Sequence, residues 1–202
     1  MRALLVVLLS LLASCANVSS DYKFDPQHPA GLVVGTITYE SGLGSYRIIV
    51  VPTNPEKSGA KKLYLLQAGD SQWSPFSRKF DDDLKRDGST FAVEMPAGKY
   101  VIKAWEVGQG PRISKCTSSI DIPFEVEAGK AIYLGSFNWD EDWENITLTN
   151  QSERDIPVLK SRFAVLKASP LTMSIAPNTK LEKLGGGYRY SYEIPIFIPV
   201  GR

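Results

Sequence analysis

The sequence predicts a mainly β protein: an antiparallel β-sandwich with one helix packed on it near the C-terminus. From residue 31 onward, short segments in which apolar and polar residues alternate are separated by turn residues, about every eight to twelve positions. One later segment has apolar residues at spacings of three and four, the period of a helix. Many short, evenly spaced strands are typical of a sandwich.

The first fifteen residues have the composition of an export signal. Arg2 precedes an apolar run from Ala3 to Ala13 that only Ser10 interrupts. The run is too short to cross a hydrocarbon core of about 30 Å as a helix, and its length suits the hydrophobic region of a secretory signal. Small residues and Cys15 follow it directly.

The segment Leu12-Ala13-Ser14-Cys15 resembles the lipobox of bacterial lipoproteins. The resemblance implies a signal peptide over residues 1–14, cleavage before Cys15, and attachment to the membrane through acyl chains on that cysteine. Ala16 stands where an Asp would signal inner-membrane retention, which implies an outer-membrane location facing the periplasm. The alternative is an ordinary cleaved signal in which the cysteine has no role.

Residues 15–30 are expected to form a tether. They are mostly polar and are broken by Pro26 and Pro29, so they cannot bury enough surface to fold alone. A flexible chain of this length would hold the body about 20 Å from the bilayer.

The folded body is expected to begin at Gly31 and to form a β-sandwich domain over residues 31–150. Strands are expected at 32–39, 46–51, 61–67, 91–95, 99–107, 120–127, 130–137 and 145–150. The first has apolar residues on both faces, so we expect it to be covered on both sides. Residues 68–86 are expected to be a loop or an edge, Asp87-Gly88 a turn, and residues 108–111 a flexible link.

Two stretches of this body, Met95–Tyr100 and Phe124–Gly135, resemble transthyretin-like or carboxypeptidase-regulatory-like sandwich domains of exported bacterial lipoproteins. The resemblance implies a fold, and an immunoglobulin-like sandwich is the other topology that fits the strand pattern. It also implies an accessory or binding module, and it supplies no catalytic residue.

Residues 151–202 are expected to complete the same domain with a helix and an edge strand. The apolar stripe of the helix comprises Ile156, Leu159, Phe163 and Leu166. Ser152 or Asp155 is placed to cap the helix, and Pro170 to end it. We expect the stripe to pack on a face or an open end of the sandwich and not to bind a partner.

Aromatic and apolar residues alternate from Tyr188 to Ile198, after a run of three glycines. Pro195 and Pro199 cannot donate to a ladder, so this strand is expected at a sheet edge. There it either folds back on the body or pairs with another chain.

Charge and composition exclude several classes of function. With 23 Lys and Arg against 22 Asp and Glu, and no basic run longer than Lys61-Lys62, the chain lacks the basic clusters that nucleic acid requires. The only histidine, His28, lies in the expected tether. If Cys15 is acylated, Cys116 is a lone thiol, and we expect it to be a small buried residue. We therefore expect no histidine-dependent catalysis, no zinc or iron site and no other cofactor.

One local cluster has chemistry suited to a ligand. It comprises Trp139, Asp140, Glu141, Asp142, Trp143 and Glu144. Indole rings can stack on a sugar, and carboxylates can accept hydrogen bonds from sugar hydroxyls or ligate calcium, which prefers oxygen. The spacing does not match an EF-hand, and the alternative is a solvated acidic loop. The acidic run Asp81–Asp83 is a second candidate.

Three hypotheses of function follow. The leading one is a noncatalytic, lipid-anchored envelope protein whose sandwich binds or scaffolds an envelope protein or glycan. The second is a carbohydrate- or calcium-binding module that uses residues 139–144. The third is a hydrolase that needs only two carboxylates, which composition does not exclude.

Overall fold

The computed structural model describes residues 17–25, 27, 29–40, 44–54, 63–69, 80–141 and 146–192. Within them the fold is the predicted β-sandwich with one α-helix. The strands are β1 (Ala30–Tyr39), β2 (Ser45–Pro52), β3 (Tyr64–Gly69), β4 (Phe80–Asp81), β5 (Arg86–Pro96), β6 (Gly98–Gln109), β7 (Arg112–Cys116), β8 (Ile122–Val126), β9 (Ala131–Trp139), β10 (Ile146–Thr149), β11 (Leu171–Met173), β12 (Lys180–Leu181) and β13 (Tyr188–Tyr192). Helix α1 spans Ser152–Arg162, and a 3₁₀ turn follows at Ala164–Lys167. Neither of these described helical segments has the length and apolar character needed to span a bilayer.

Two sheets pack face to face. Sheet 1 has the strand order β12-β10-β9-β1-β5-β4, and β11 lies beside the start of β9. Sheet 2 has the order β13-β7-β6-β2-β3, and β8 lies beside the start of β6. Because β1 pairs antiparallel with β5 but parallel with β9, sheet 1 is mixed, whereas the sequence predicts antiparallel pairing throughout.

The main core lies between the sheets. Alternation along β1 points Val33, Ile37 and Tyr39 into this core, and Leu32 and Val34 away from it. All five side chains are buried, so the expected coverage of this strand on both sides is confirmed.

A second, smaller core lies on the outer face of sheet 1. Leu159 and Phe163 of the predicted stripe, with Leu166 of the 3₁₀ turn, pack there against Leu32 and Val34. The expectation that the stripe packs on a face of the sandwich is confirmed for these three residues. It is wrong for Ile156, which is half-buried and belongs to neither core, and the helix ends at Arg162 and not at Pro170.

Helix α1 crosses the strands of sheet 1 instead of running along them. Near the start of the helix, Asp155 contacts Tyr133 of β9. At its end, Arg162 reaches Thr90 of β5 and Asp81 of β4. The helix therefore divides the outer face of sheet 1 into the second core on one side and an open polar surface on the other.

The start of α1 differs from the expectation. Its N-cap is Gln151, whose side chain makes no capping hydrogen bond, and Asn150 Oδ1 accepts a hydrogen bond from the backbone N–H of Ser152 (3.0 Å). Neither Ser152 nor Asp155 caps the helix. Asp155 is instead fully buried and binds other side chains.

Two predictions about turns are wrong. Asp87 and Gly88 lie within β5, and the turn before that strand occupies residues 82–85. Residues 108–111 are not a flexible link: Gly110 and Pro111 form a tight turn between β6 and β7, a strand that the sequence pattern does not predict. Cys116 ends β7 and is buried, as expected of a small apolar residue.

The prediction of a tether over residues 15–30 is wrong for residues 17–25. Val18, Tyr22 and Phe24 pack against the second core, and the backbone N–H of Val18 donates to the carbonyl oxygen of Ala92 (2.8 Å). Proline disfavours regular structure, but it does not stop an irregular segment from covering apolar surface. Three spaced apolar side chains are enough to hold this segment on the body.

The C-terminal strand lies at an edge, as predicted. Strand β13 pairs antiparallel with β7 at the edge of sheet 2, so the described part of the segment folds back on the body. Tyr190 and Tyr192 are exposed on it. Pro195 and Pro199 lie outside the described residues.

Candidate functional site

The sequence-predicted site begins with Trp139, which the structure places in the main core. Its side chain is fully buried and packs edge-on against Tyr46 and Trp105, with ring centroids 5.5 Å and 6.4 Å away. An indole without an exposed face cannot stack on a sugar. The stacking role predicted for Trp139 is therefore wrong.

A β-bulge explains why Trp139 points inward. Strand β9 has one residue more than β1 near Gly135, whose φ is 113°. Leu134 before the bulge and Phe137 after it both point into the main core, so the inward positions change from even to odd numbers. Uninterrupted alternation would have placed Trp139 on the outer face.

The other residues of the predicted site are only partly described. Asp140 is half-buried and Glu141 is exposed. Asp142, Trp143 and Glu144 lie outside the described residues, as does Cys15, and their roles stay predictions. Among the residues that the structure describes, no three His, Cys, Asp or Glu side chains are grouped as a metal ion would need.

The half of the outer face of sheet 1 that α1 leaves uncovered forms a cleft of about 510 Å³. Its floor consists of outward-facing side chains of β1, β9 and β10, namely Thr38, Ser136, Asn138, Thr147 and Thr149. Its rim carries Glu40, Arg86, Asp140, Gln151, Arg154, Lys180, Glu182 and Lys183. Every side chain that lines the cleft is polar or charged. Among the described members of the predicted site, Asp140 lines this cleft.

A buried network fixes the wall that α1 makes beside this cleft. The Asp155 carboxylate accepts hydrogen bonds from Thr36 Oγ1 (2.8 Å), from the Tyr133 hydroxyl (2.6 Å) and from Arg154 Nε (2.7 Å). Burial raises the pKa of Tyr133 far above its usual range, and the negative charge of Asp155 adds a smaller increase. The hydroxyl therefore stays protonated and acts as a donor. Arg154 also donates to Ser136 Oγ (3.1 Å) and is thereby held at the floor.

Part of the rim is held by polar contacts of its own. Asn138 Oδ1 accepts from Thr38 Oγ1 (2.8 Å) and from Arg86 Nη1 (3.3 Å), and Arg86 lies 3.8 Å from Glu40. This places a guanidinium over the floor with a carboxylate beside it.

The opposite part of the rim belongs to β12 and the residues after it. A hydrogen bond from Lys180 lowers the pKa of Glu182 below its usual value, and the positive charge of that lysine lowers it further. Lys183 makes no ion pair within the described part of the chain and is exposed. It is therefore the rim cation most available to an anionic group of a ligand.

The acidic run Asp81–Asp83 has a structural partner. Arg162 Nη1 lies 2.7 Å from Asp81 and its Nη2 lies 2.8 Å from Asp83. Burial alone would raise the pKa of Asp81, but hydrogen bonds from Arg162 and from the backbone of Leu84 outweigh it and hold that pKa below its usual value. These carboxylates join the end of α1 to the β4–β5 turn.

One sequence signal could have indicated the cleft. Along the outward face of β1, Leu32 and Val34 give way to Thr36 and Thr38, although the strand stays buried throughout. A face that changes from apolar to hydroxyl side chains must meet a different neighbour, in this case the α1 network and the cleft.

The arrangement suits recognition of a polar ligand. Hydroxyl and amide groups on the floor supply donors and acceptors, and guanidinium and ammonium groups on the rim supply charge-assisted donors. Comparison of this chain with protein-family models, with curated proteins and with solved structures found no match in any of the three.

Proposed function

We propose that this protein is a noncatalytic binding module of the bacterial cell envelope, lipid-anchored in the outer membrane through an acylated Cys15, whose cleft binds a hydroxyl- and carboxylate-bearing glycan. The observation that carries the choice of ligand is the lining of the cleft, in which every side chain is polar or charged. The lipobox-like segment before Ala16 supports the anchor.

The floor and the rim offer a glycan complementary groups. The hydroxyl groups of Thr147 and Thr149 can both donate and accept hydrogen bonds. Asn138 and Gln151 contribute amide groups that can make hydrogen bonds to a ligand in addition to those they make within the protein. Lys183 supplies a cation for a carboxylate. Neutral hydrogen bonds contribute only about 0.5–1.5 kcal/mol each and must also offset the cost of association, so we expect weak binding.

Calorimetric titration with acidic envelope-glycan fragments tests the ligand. Arg86→Ala should raise the dissociation constant about tenfold, because the variant loses a charge-assisted donor at the rim. Lys103→Ala is the matched control, since Lys103 is a cation of strand β6 in sheet 2 that pairs with Asp121. No heat with any fragment, or an equal loss in both variants, would refute the proposed site.

A hydrolase is the second candidate, because three carboxylates line the cleft: Glu182 pairs with a lysine, and Glu40 and Asp140 are the other two. Glycoside hydrolysis requires such a pair. Under the leading proposal the masses of the fragments stay unchanged after long incubation with the protein. Cleavage that Glu40→Gln or Asp140→Asn abolishes would assign the hydrolase instead.

The calcium-binding alternative is decided in the same calorimeter. If residues 140–144 hold calcium, titration with the ion gives heat that Asp140→Asn reduces. Under the leading proposal calcium gives no heat.

Membrane fractionation tests the anchor. Cys15→Ser should remove the acyl chains and with them partition of the chain into detergent, since each buried methylene contributes about 0.8 kcal/mol. Unchanged partition would contradict the proposed anchoring.

A further inference from the structure

We infer that the protein docks against the bilayer through one edge of sheet 1, formed by Asn17, Val18, β4 and residues 82–85, which we name the anchor edge. The inference rests on the proposed acylation of Cys15 and goes beyond it. An acyl chain fixes where a protein is attached but not which of its surfaces faces the lipid.

The N-terminal segment is bonded to the free edge of β5, next to the short strand β4. Asn17 Oδ1 accepts from the backbone N–H of Ala92 (2.8 Å), and Asn17 Nδ2 lies 3.4 Å from the carbonyl oxygen of Thr90. The backbone N–H of Val18 donates to the carbonyl oxygen of Ala92 (2.8 Å). Strand β4 pairs only with Arg86 and Asp87, so the following residues of β5 have backbone N–H and carbonyl groups that β4 leaves unpaired. The bonds to Asn17 and Val18 satisfy some of these groups.

The same segment is held again further along the chain. The carbonyl oxygen of Ser20 accepts from the backbone N–H of Ala164 (3.1 Å) at the end of α1. Tyr22 and Phe24 meet edge-on with ring centroids 5.6 Å apart and pack against the second core. Residues 17–24 are thus part of the body, and no free tether begins after Asn17.

Covalent geometry then limits the distance from the body to the lipid. A chain spans at most about 3.3–3.6 Å per residue, so the Cα of Cys15 lies within about 7 Å of the Cα of Asn17. A flexible tether over residues 15–30 would have allowed about 20 Å and any orientation. The end of the anchor edge at Asn17 must therefore lie near the lipid headgroups.

The side chains of this edge suit such a surface. Phe80 of β4 is 58% exposed and pairs with Asp87, so it lies about 10 Å along the strand from Thr90 and about 17 Å from Ala92, the two residues that Asn17 contacts. An exposed aromatic side chain this close to an acyl anchor can bury its ring at the boundary of headgroups and acyl chains.

The anchor edge carries charges of both signs, and of its carboxylates Asp82 is exposed and has no ion pair within the described part of the chain. The carboxylates of Asp81 and Asp83 are paired with the guanidinium of Arg162. Lys85 is exposed in the β4–β5 turn and can place its ammonium among headgroup phosphates, since lysine buries its stem and keeps its charge in water.

The far edge of sheet 1 supplies the matched control position. Strand β12 lies at the opposite end of the strand order from β4, about 24 Å away at about 4.8 Å per strand. Lys183 follows β12 directly and is exposed. We expect this edge to face away from the bilayer.

Fluorescence quenching on vesicles tests the orientation. The full lipidated chain carries one introduced cysteine, either Asp82→Cys at the anchor edge or Lys183→Cys at the far edge, and a fluorophore is attached to it. The native cysteines do not take up the label, because Cys116 is buried and Cys15 is acylated. Phosphatidylcholine vesicles with a nitroxide on the headgroup supply the quencher. Quenching at position 82 should exceed quenching at position 183 at least threefold, and Phe80→Ser should reduce quenching at position 82.

A length variant separates the short attachment from other causes of orientation. Twelve Gly and Ser residues inserted between Ala16 and Asn17 should bring the ratio of quenching close to one. Equal quenching at both positions of the parent chain, or a ratio that the insertion leaves unchanged, would overturn the inference. A parent chain that binds vesicles no better than Cys15→Ser would instead overturn the proposed anchor itself.

Discussion

Replacement of Asp155 by alanine should lower the free energy of unfolding by about 3 kcal/mol. Asp155 is fully buried, and its carboxylate accepts hydrogen bonds from Thr36, Tyr133 and Arg154. The truncation leaves the buried hydroxyl of Tyr133 without its acceptor, which costs about 1–3 kcal/mol. Breaking a buried ion pair costs about 3–5 kcal/mol. Because the Arg154 side chain is 27% exposed and can turn to water, the lower end of that range applies.

Urea denaturation followed by the fluorescence of the buried Trp105 and Trp139 measures this change. With a slope of about 2 kcal/mol per molar urea, the midpoint should fall by about 1.5 M. Glu153→Ala is the control, since Glu153 is an exposed carboxylate in the first turn of the same helix and should change stability by at most about 0.5 kcal/mol. Equal midpoints for Asp155→Ala and Glu153→Ala would refute the role of the network.

A double-mutant cycle identifies the cause of the loss. Tyr133→Phe alone should cost about 1 kcal/mol, because Asp155 keeps two other donors. The double variant should cost less than the sum of the two single variants by about 1–2 kcal/mol, since phenylalanine needs no acceptor. Strict additivity would show that the two side chains do not depend on each other.

Three further changes test the packing. Gly135→Ala should lower the thermal midpoint more than Gly129→Ala, because both glycines have positive φ but only at Gly135 would a Cβ meet packed atoms, at 2.7 to 2.9 Å. Leu159→Ala should cost about 2–5 kcal/mol in urea denaturation, since this side chain is 1% exposed. Arg162→Ala should cost about 1–3 kcal/mol at neutral pH. The pKa of Asp81 is lowered in the folded state, so its contribution is present above its unfolded pKa of about 3.9 and is lost as pH falls through the folded value; the difference between the two proteins in urea titrations should therefore shrink as pH falls below about 3.9.

The strands that face the core could be predicted because burial imposes a period of two on them. Turn residues were a less certain guide, since glycine permits a turn without requiring one. At Gly88 a Cβ would lie 2.2 Å from the carbonyl oxygen of Ile37, so this glycine serves the close approach of β5 to β1. Strand β7 escaped prediction because its apolar residues, Ile113 and Cys116, are three positions apart and therefore show no period of two.

The candidate site could be predicted less well, for a different reason. Trp139 lies in an acidic stretch, yet the bulge at Gly135 turns it into the core. A bulge adds one residue to one strand, and alternation in the sequence does not show which of two neighbouring positions is the extra one. The position of Asp140 at the cleft follows from the same shift.

The place of the cleft depends on the crossing angle of α1, and that angle is set by polar contacts at the two ends of the helix. The spacing of Leu159 and its neighbours predicts which side of the helix is buried but not its direction across the sheet. That direction follows from the bond of Asp155 to Thr36, 119 residues away, and from the bonds of Arg162 to Asp81, 81 residues away. Because these pairs join the helix to β1 and to β4, α1 lies across the sheet and separates its apolar half from its polar half. A helix aligned with the strands would have covered both, so the same contacts that hold α1 in place also leave the cleft open.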